Sequence, residues 1–335
     1  MPARRVATLV MALALVALGA CNGGGSDDSK SSPATAPAPA RSTTSGPVIP
    51  VARTEVASAF WDGKIAVAGG FPSPDHAVDR LDLFDVASGT WSVGPPLPHQ
   101  YDHSSLAELG GRLYVVGGYT GGLSNPTNEV WSLGPGEQAW TDEPDLATRR
   151  GALGTGAASG KLVAVGGVDE SGNVLSSTEV FTPGAGWSPG PNLSMPREHL
   201  AAAGAGDKVY AIAGRNADGA TRSVESFIVG SDQWNDEGAL HDARSGIGAG
   251  TTSSGRVCTG GGEVPGRPDT VPSIECYDGE RWRRMADMSV PRHGLAVVAE
   301  SKRVHLVAGG PQPGFSFSDA HEVLELGTAE HPGSD

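Results

Sequence analysis

The stretch from Arg150 to Arg197, RGALGTGAASGKLVAVGGVDESGNVLSSTEVFTPGAGWSPGPNLSMPR, runs in a fixed order: arginine, a Ser159-Gly160 turn, an apolar run closed by Gly166-Gly167, a second run at Glu179-Val180-Phe181, Trp187, and arginine again. The order recurs. Trp91, Trp140, Trp187, Trp234 and Trp282 lie 49, 47, 47 and 48 residues apart, and ten residues after each comes Tyr101, Arg150, Arg197, Arg244 or Arg292. About 11 residues further on, Arg112, Lys161, Lys208, Arg256 or Arg303 opens a short apolar run. Six such runs end in small pairs: Gly69-Gly70, Gly117-Gly118, Gly166-Gly167, Ala213-Gly214, Gly261-Gly262 and Ala308-Gly309. A period of this length, found in six copies, marks a repeat architecture.

Each repeat reads as four antiparallel strands. Turns such as Asp62-Gly63 and Gly110-Gly111 tolerate positive φ and close two-residue hairpins between the first and second strands. The third strand is the run typified by Glu179-Val180-Phe181, and the fourth starts at the tryptophan. The fold expected is all-β: a six-bladed β-propeller of four-stranded antiparallel blades. Paired glycines, a tryptophan about 21 residues later and a downstream arginine resemble the Kelch family over residues 50–326, with Ala213 and Ala308 replacing a first glycine and Tyr101 replacing an arginine. Glycines let neighbouring backbones approach near the axis, and the tryptophans are read as filler of the wider gap between blades. The sixth repeat lacks its tryptophan. Its missing fourth strand projects back onto residues 43–49, with Thr43 in the tryptophan position, so the N-terminal segment is expected to close the last blade.

Two recurring arrays concern side chains. Arg53, Arg150, Arg197, Arg244 and Arg292 recur against Glu129, Glu179, Glu225, Glu275 and Glu322. One reading is a guanidinium ring for a carboxylated ligand; the other, favoured by the recurrence itself, is one buried Arg–Glu pair per blade. Cys258 and Cys276 fall on the second and third strands of repeat five and are expected to form a disulfide rather than remain free thiols.

Function is sought where the repeats differ. The loops joining second to third and fourth to first strands share one face, the face on which Kelch proteins typically bind partners. Arg215 and Asn216 follow the small pair where repeats one and two carry Phe71 and Tyr119, and a Gly-Arg-Asn run here looks like one used for acidic peptides in some Kelch domains. These four are the candidate binding residues. His103 and His199 occupy equivalent places, but a histidine after the arginine is ordinary Kelch consensus, and no tyrosine set accompanies them as in galactose oxidase. No metal, cofactor or catalytic residue is expected. The loop acids Asp169, Glu170 and Asp218 lack calcium-loop spacing, and no Gly-x-Ser-x-Gly turn or nucleotide loop is found. The leading expectation is a non-enzymatic module for a protein, peptide or glycan. The alternative is a sugar-processing enzyme resembling the Kelch mutarotase of sialic acid, with a copper oxidase behind it.

The first twenty residues read as a signal peptide: Arg4 and Arg5, an apolar run from Val6 to Leu18, then Leu18-Gly19-Ala20 before Cys21. The last four residues resemble the bacterial lipobox, which makes Cys21 the lipidated mature N-terminus. Residues 21–47 read as a disordered Gly/Ser/Pro/Ala tether, 48–327 as the propeller and 328–335 as a flexible tail. The chain is expected outside the cytoplasm, monomeric, held to the cell membrane or outer membrane by lipid alone. A formal net charge of -14 argues against nucleic acid.

Overall fold

The computed structural model describes residues 41–327 apart from Asp75 and Ser124. The spans read as signal peptide and tail, Cys21 and most of the span read as tether lie outside the described residues. Every regular element among the described residues is a strand, and the main ones form six four-stranded antiparallel sheets, the blades of a six-bladed propeller. Blade three is typical: Gly154–Ala158, Lys161–Val165, Thr178–Thr182 and Gly186–Gly190 pair in sequence order, innermost first. Inner strands crowd one another. A Cβ on Gly204 would lie 1.7 Å from the Ala157 carbonyl oxygen of the neighbouring blade, so glycine is required there.

Three sets of contacts join successive blades, the first two at all six junctions and the third at four, and each uses a recurring residue. The second residue of each small pair donates its N–H to the carbonyl at the arginine position of the following blade, from Gly70 to Tyr101 at 2.8 Å round to Gly309 to Arg53 at 2.7 Å. The first residue of the pair sits with positive φ under that same carbonyl; a Cβ on Gly166 would meet Arg197 O at 2.6 Å. Further out, the indole N–H groups of Trp140, Trp187 and Trp234 donate to the carbonyls of Pro95, Pro144 and Pro191 in the preceding blade. The tryptophans are therefore staples between blades as well as filler. Trp282 is buried and its indole N–H has no such partner; in the preceding blade the fourth strand carries an extra residue, Asp236 and Ala239 standing opposite Glu225 and Ser223.

All five recurring arginines are fully buried. Arg150, Arg197 and Arg292 pair with Glu179, Glu225 and Glu322 at 2.7 to 3.0 Å, and Arg244 pairs with Glu275. The expected pairing holds in these four blades and differs in two. Arg53 pairs with Asp82 at 2.6 Å, while Glu129 accepts from the Tyr101 hydroxyl at 2.6 Å. The glutamates also accept backbone N–H groups from the linker that precedes the arginine, as Ala147 and Thr148 donate to Glu179. Buried this deeply, with each guanidinium paired to an acid of its own blade, the array is closed to a ligand; it holds each blade to the loop before it.

The N-terminal segment closes blade six. Thr44–Ser45 pairs antiparallel with His321–Glu325, which continues through Arg303–Val307 to Ala296–Glu300. The register places Thr43 across from Leu324, the tryptophan place of the other blades, and its hydroxyl donates to Glu322 at 2.5 Å. Blade six thus takes its outer strand from inside the span read as tether. Pro47 supplies the carbonyl that Trp91 needs, at 2.8 Å, and also accepts from His321 Nδ1 at 3.0 Å. That bond fixes the tautomer, so His321 Nε2 accepts from His305 Nδ1 at 2.9 Å. Burial lowers both imidazoles below the ordinary value of 6.5, and the neighbouring His321 and Arg303 help bring His305 down to about 3. A depressed histidine contributes stability that is present above the unfolded value and is lost as pH falls toward the folded one. The seam should therefore weaken below about pH 6.5, by up to about 1.4 kcal/mol per pH unit for each proton taken up. Comparing urea midpoints of the native protein and His305→Phe between pH 7 and 5 checks this; parallel curves would count against it.

Cys258 and Cys276 stand opposite each other in blade five, both fully buried, with Cα atoms 4.1 Å apart and their sulfurs at bonding distance.

Candidate functional site

Two residues after each recurring arginine or tyrosine, the chain crosses the axis end of the inner strand. Those six places hold Glu55, His103, Ala152, His199, Gly246 and Gly294, and all six take the left-handed conformation, with φ between 47° and 64°. The shared geometry has one cause. Their backbones form a ring of hydrogen bonds: His103 donates to Glu55, Ala152 to His103, His199 to Ala152, Gly246 to His199, Gly294 to Gly246, and Val56 closes on Gly294, at 2.8 to 3.3 Å. Glycine meets this demand without strain, whereas an L side chain costs roughly 1–2 kcal/mol at each such place. Glu55, His103, Ala152 and His199 accept that cost, and the first, second and fourth do so with polar side chains.

Their side chains converge on the axis, on the face carrying the long loops. Glu55, His103 and His199 line a cavity of about 60 Å³ that leads into further cavities bordered by the small residues of the inner strands. Glu55 Oε2 lies 3.3 Å from His103 Nε2, and Glu55 Oε1 lies 3.4 Å from His293 Nε2. His103 Nδ1 is 2.7 Å from Asp102 Oδ1, and His199 Nδ1 bonds Glu198. Arg215 reaches in from blade four, binding Glu198 at 2.5 Å and Glu263 of blade five at 2.8 Å, with Nη2 3.4 Å from both nitrogens of His199.

The charges in this cluster act strongly on one another. Burial opposes ionisation of Glu55, yet the imidazoles of His103, His293 and His199 outweigh it and hold the carboxyl below the usual range. Burial likewise opposes charge on His103, and Glu55 and Asp102 prevail to raise it. Glu198 is brought down to about 2 against burial by His199 and Arg215, while burial pushes Asp102 up. Tyr119 is pushed up to about 12 by burial and by Glu198, so its hydroxyl stays neutral. The cluster can hold protons, orient a polar ligand or ligate a cation.

Three of the four residues expected to bind a partner lie in this cluster. Phe71 and Tyr119 are buried and pack edge-on against His103, 5.9 and 5.7 Å between centroids, so they wall the axial group instead of projecting from the face. Arg215 is there too, with its guanidinium engaged by two glutamates. Asn216 lies outside, in a two-residue hairpin with Gly219, its amide donating to the Pro196 carbonyl. Phe315 is the aromatic exposed on this face, stacked edge-on over Phe71. Sequence reasoning passed over Glu55, Asp102, Glu198, Glu263 and His293. Glu55 was legible through register alone, since it holds in repeat one the place that His103 and His199 hold in theirs.

Residues 102–147 match the Kelch motif. The chain is 25% identical to Kelch-like protein terF of Aspergillus terreus over 302 residues, 82% of this chain and 64% of that protein. It is 29% identical to human Kelch-like protein 34 across 72% of this chain and 39% of that one. Together these support a Kelch-repeat family. The mouse Kelch-like protein 35 adds a shorter match, 29% identical over 41% of this chain and 23% of its own length. This Kelch-like chain thus spans between 23% and 64% of these relatives. Among solved structures, that of YjhT superposes with a TM-score of 0.72 over 85% of this chain and 98% of that one, at 16% identity, which is a likeness of fold.

Proposed function

We propose that this protein is an exported, lipid-anchored binding module that holds a protein, peptide or glycan on the loop face, over the axial mouth. One observation carries the reading. Three of the six ring positions bear glutamate or histidine in a conformation that glycine occupies without strain in blades five and six. Strain retained at one point of a repeat architecture points to use of that point. The fitting test is capture from envelope extracts by the mature domain, compared with His103→Gly on this face and Glu108→Lys at the opposite mouth. A specific partner should be lost with the first and kept with the second; equal capture by both would remove the loop face from consideration.

A second reading, a carboxylated-sugar enzyme, draws support from Arg215 meeting acids and imidazoles at the axis, where a proton could be moved. Against it, both sides of the Arg215 fork are already taken by Glu198 and Glu263. Accelerated anomerisation of a carboxylated sugar, lost in Arg215→Met, would favour it over the binding module. Membrane attachment is tested separately: Cys21→Ser should move the protein from the membrane to the soluble fraction. In an exported chain Cys258 and Cys276 should be oxidised, worth roughly 3 kcal/mol on the loop-entropy account. Thiol titration of the unreduced, denatured protein should find neither; two reactive thiols would reject the bond.

A further inference from the structure

We infer that Glu55, His103 and His199 form a site for one divalent transition-metal ion at the axial mouth, with zinc the ion best matched to one carboxylate and two imidazoles. The three offer one ligand atom each, and those atoms lie within 4.8 Å of one another. Glu55 Oε2 and His103 Nε2 are 3.3 Å apart. For bonds of 2.0–2.2 Å in a tetrahedron, two ligand atoms stand about 3.4 Å apart, so this pair already spans one tetrahedral edge.

The surroundings of the imidazoles give a second line of argument. A metal-binding histidine almost always directs its other ring nitrogen to a carboxylate or carbonyl, which sets the tautomer and leaves the opposite nitrogen free. Here the residue just before each histidine does this: Asp102 binds His103 Nδ1, and Glu198 binds His199 Nδ1, while Arg215 Nη2, 3.4 Å from His199 Nε2, is the group a metal would displace. His293 is oriented in the same sense, its Nδ1 against the Gly310 carbonyl at 3.0 Å and its Nε2 3.4 Å from Glu55. Asp102 Oδ2 is buried without a hydrogen-bond partner.

Charge is the third. Around the axis, Glu55, Asp102, Glu198 and Glu263 bring four carboxylates, and Arg215 brings one guanidinium. With neutral imidazoles the group carries three negative charges in a largely buried setting. A divalent cation offsets most of that excess, and protons on the histidines are its competitor. Metal binding at this site must therefore displace protons. The cavity of about 60 Å³ bordered by the same three side chains leaves the fourth coordination position open to water or to a ligand atom.

The inference concerns the isolated protein and stands whether or not a macromolecular partner docks on the face. The test is titration of the metal-free mature protein with Co²⁺, read by its visible absorption, and with Zn²⁺, read by calorimetry and by proton release in weak buffer. One ion per chain is expected, with tetrahedral-type cobalt absorption and protons released on binding. His199→Gly and His103→Gly place at the ring the residue that blades five and six already carry, so they should fold, melt no lower than the metal-free native protein, and bind Zn²⁺ at least about 100-fold more weakly. Asp102→Asn keeps all three ligands and should weaken binding about 10- to 100-fold. Should either glycine variant fail to fold, Glu55→Gln with its backbone unchanged makes the same test. Absence of saturable one-to-one binding, or binding that these substitutions leave unchanged, would overturn the assignment and leave protonated imidazoles as the charge partners.

Discussion

Exchanging Arg197 for methionine is expected to lower the free energy of unfolding by about 3–5 kcal/mol. The side chain is fully buried, and removing it strands Glu225, itself 4% exposed, without the guanidinium that sits 2.7 Å away. The Ala213 and Ser223 carbonyls lose donors as well. Native stability of a domain is typically about 5–15 kcal/mol, so this one change removes a large fraction of it. The magnitude comes from the uncompensated carboxylate, which makes a further prediction. The double variant Arg197→Met, Glu225→Leu should recover much of the loss, because no charge is left buried alone. Urea denaturation of the three proteins measures both effects. A single variant within about 1 kcal/mol of the native protein would show that the pair contributes little.

Deleting residues 41–49 is expected to have an effect at least as large. The segment supplies the ladder to His321–Glu325, the Thr43 bond to Glu322, the Pro47 carbonyl shared by Trp91 and His321, and the fully buried Ile49. Truncating a buried isoleucine by itself costs about 2–5 kcal/mol. The deletion also bares the backbone of a strand that becomes the outer edge of blade six, a template for pairing with another chain. A melting temperature well below that of the native protein, together with oligomers on gel filtration, is the expected outcome. An unchanged melt and a monomeric elution would mean the seam is closed by other contacts.

The architecture was legible because a propeller repeats its construction and the repeats stay in register. The small pairs mark a contact made six times, the arginines one made five times and the tryptophans one made four times, so one substitution cannot hide the pattern. Tertiary pairing was less legible. Asp82 does for Arg53 what glutamate does elsewhere, one methylene shorter, and a search for glutamate alone misses it. Pro47, Pro95, Pro144 and Pro191 read as loop residues until the tryptophan bonds to their carbonyls are seen. At the candidate site, Arg215 could be singled out from its place after the small pair. Its partner Glu263 belongs to another repeat, 48 residues on, and no local pattern joins them. Glu55 was legible through register alone: what makes it notable is a backbone angle dictated by the ring, and in the sequence only the histidines in the same place point to it.

The seam has a consequence for the order in which the protein can be assembled. The hydroxyl of Thr43 meets a carboxylate 279 residues later, so this contact must wait for the last strand of the ring. Until the final strands have emerged from the ribosome, the Thr44–Ser45 strand has nothing to pair with and the seam that brings the Pro47 carbonyl to Trp91 is not yet closed. Such distant pairing is slow, and the waiting chain carries exposed strand edges. Cellular escort should therefore matter most over the last stretch of synthesis, when five blades are complete and the ring is still open.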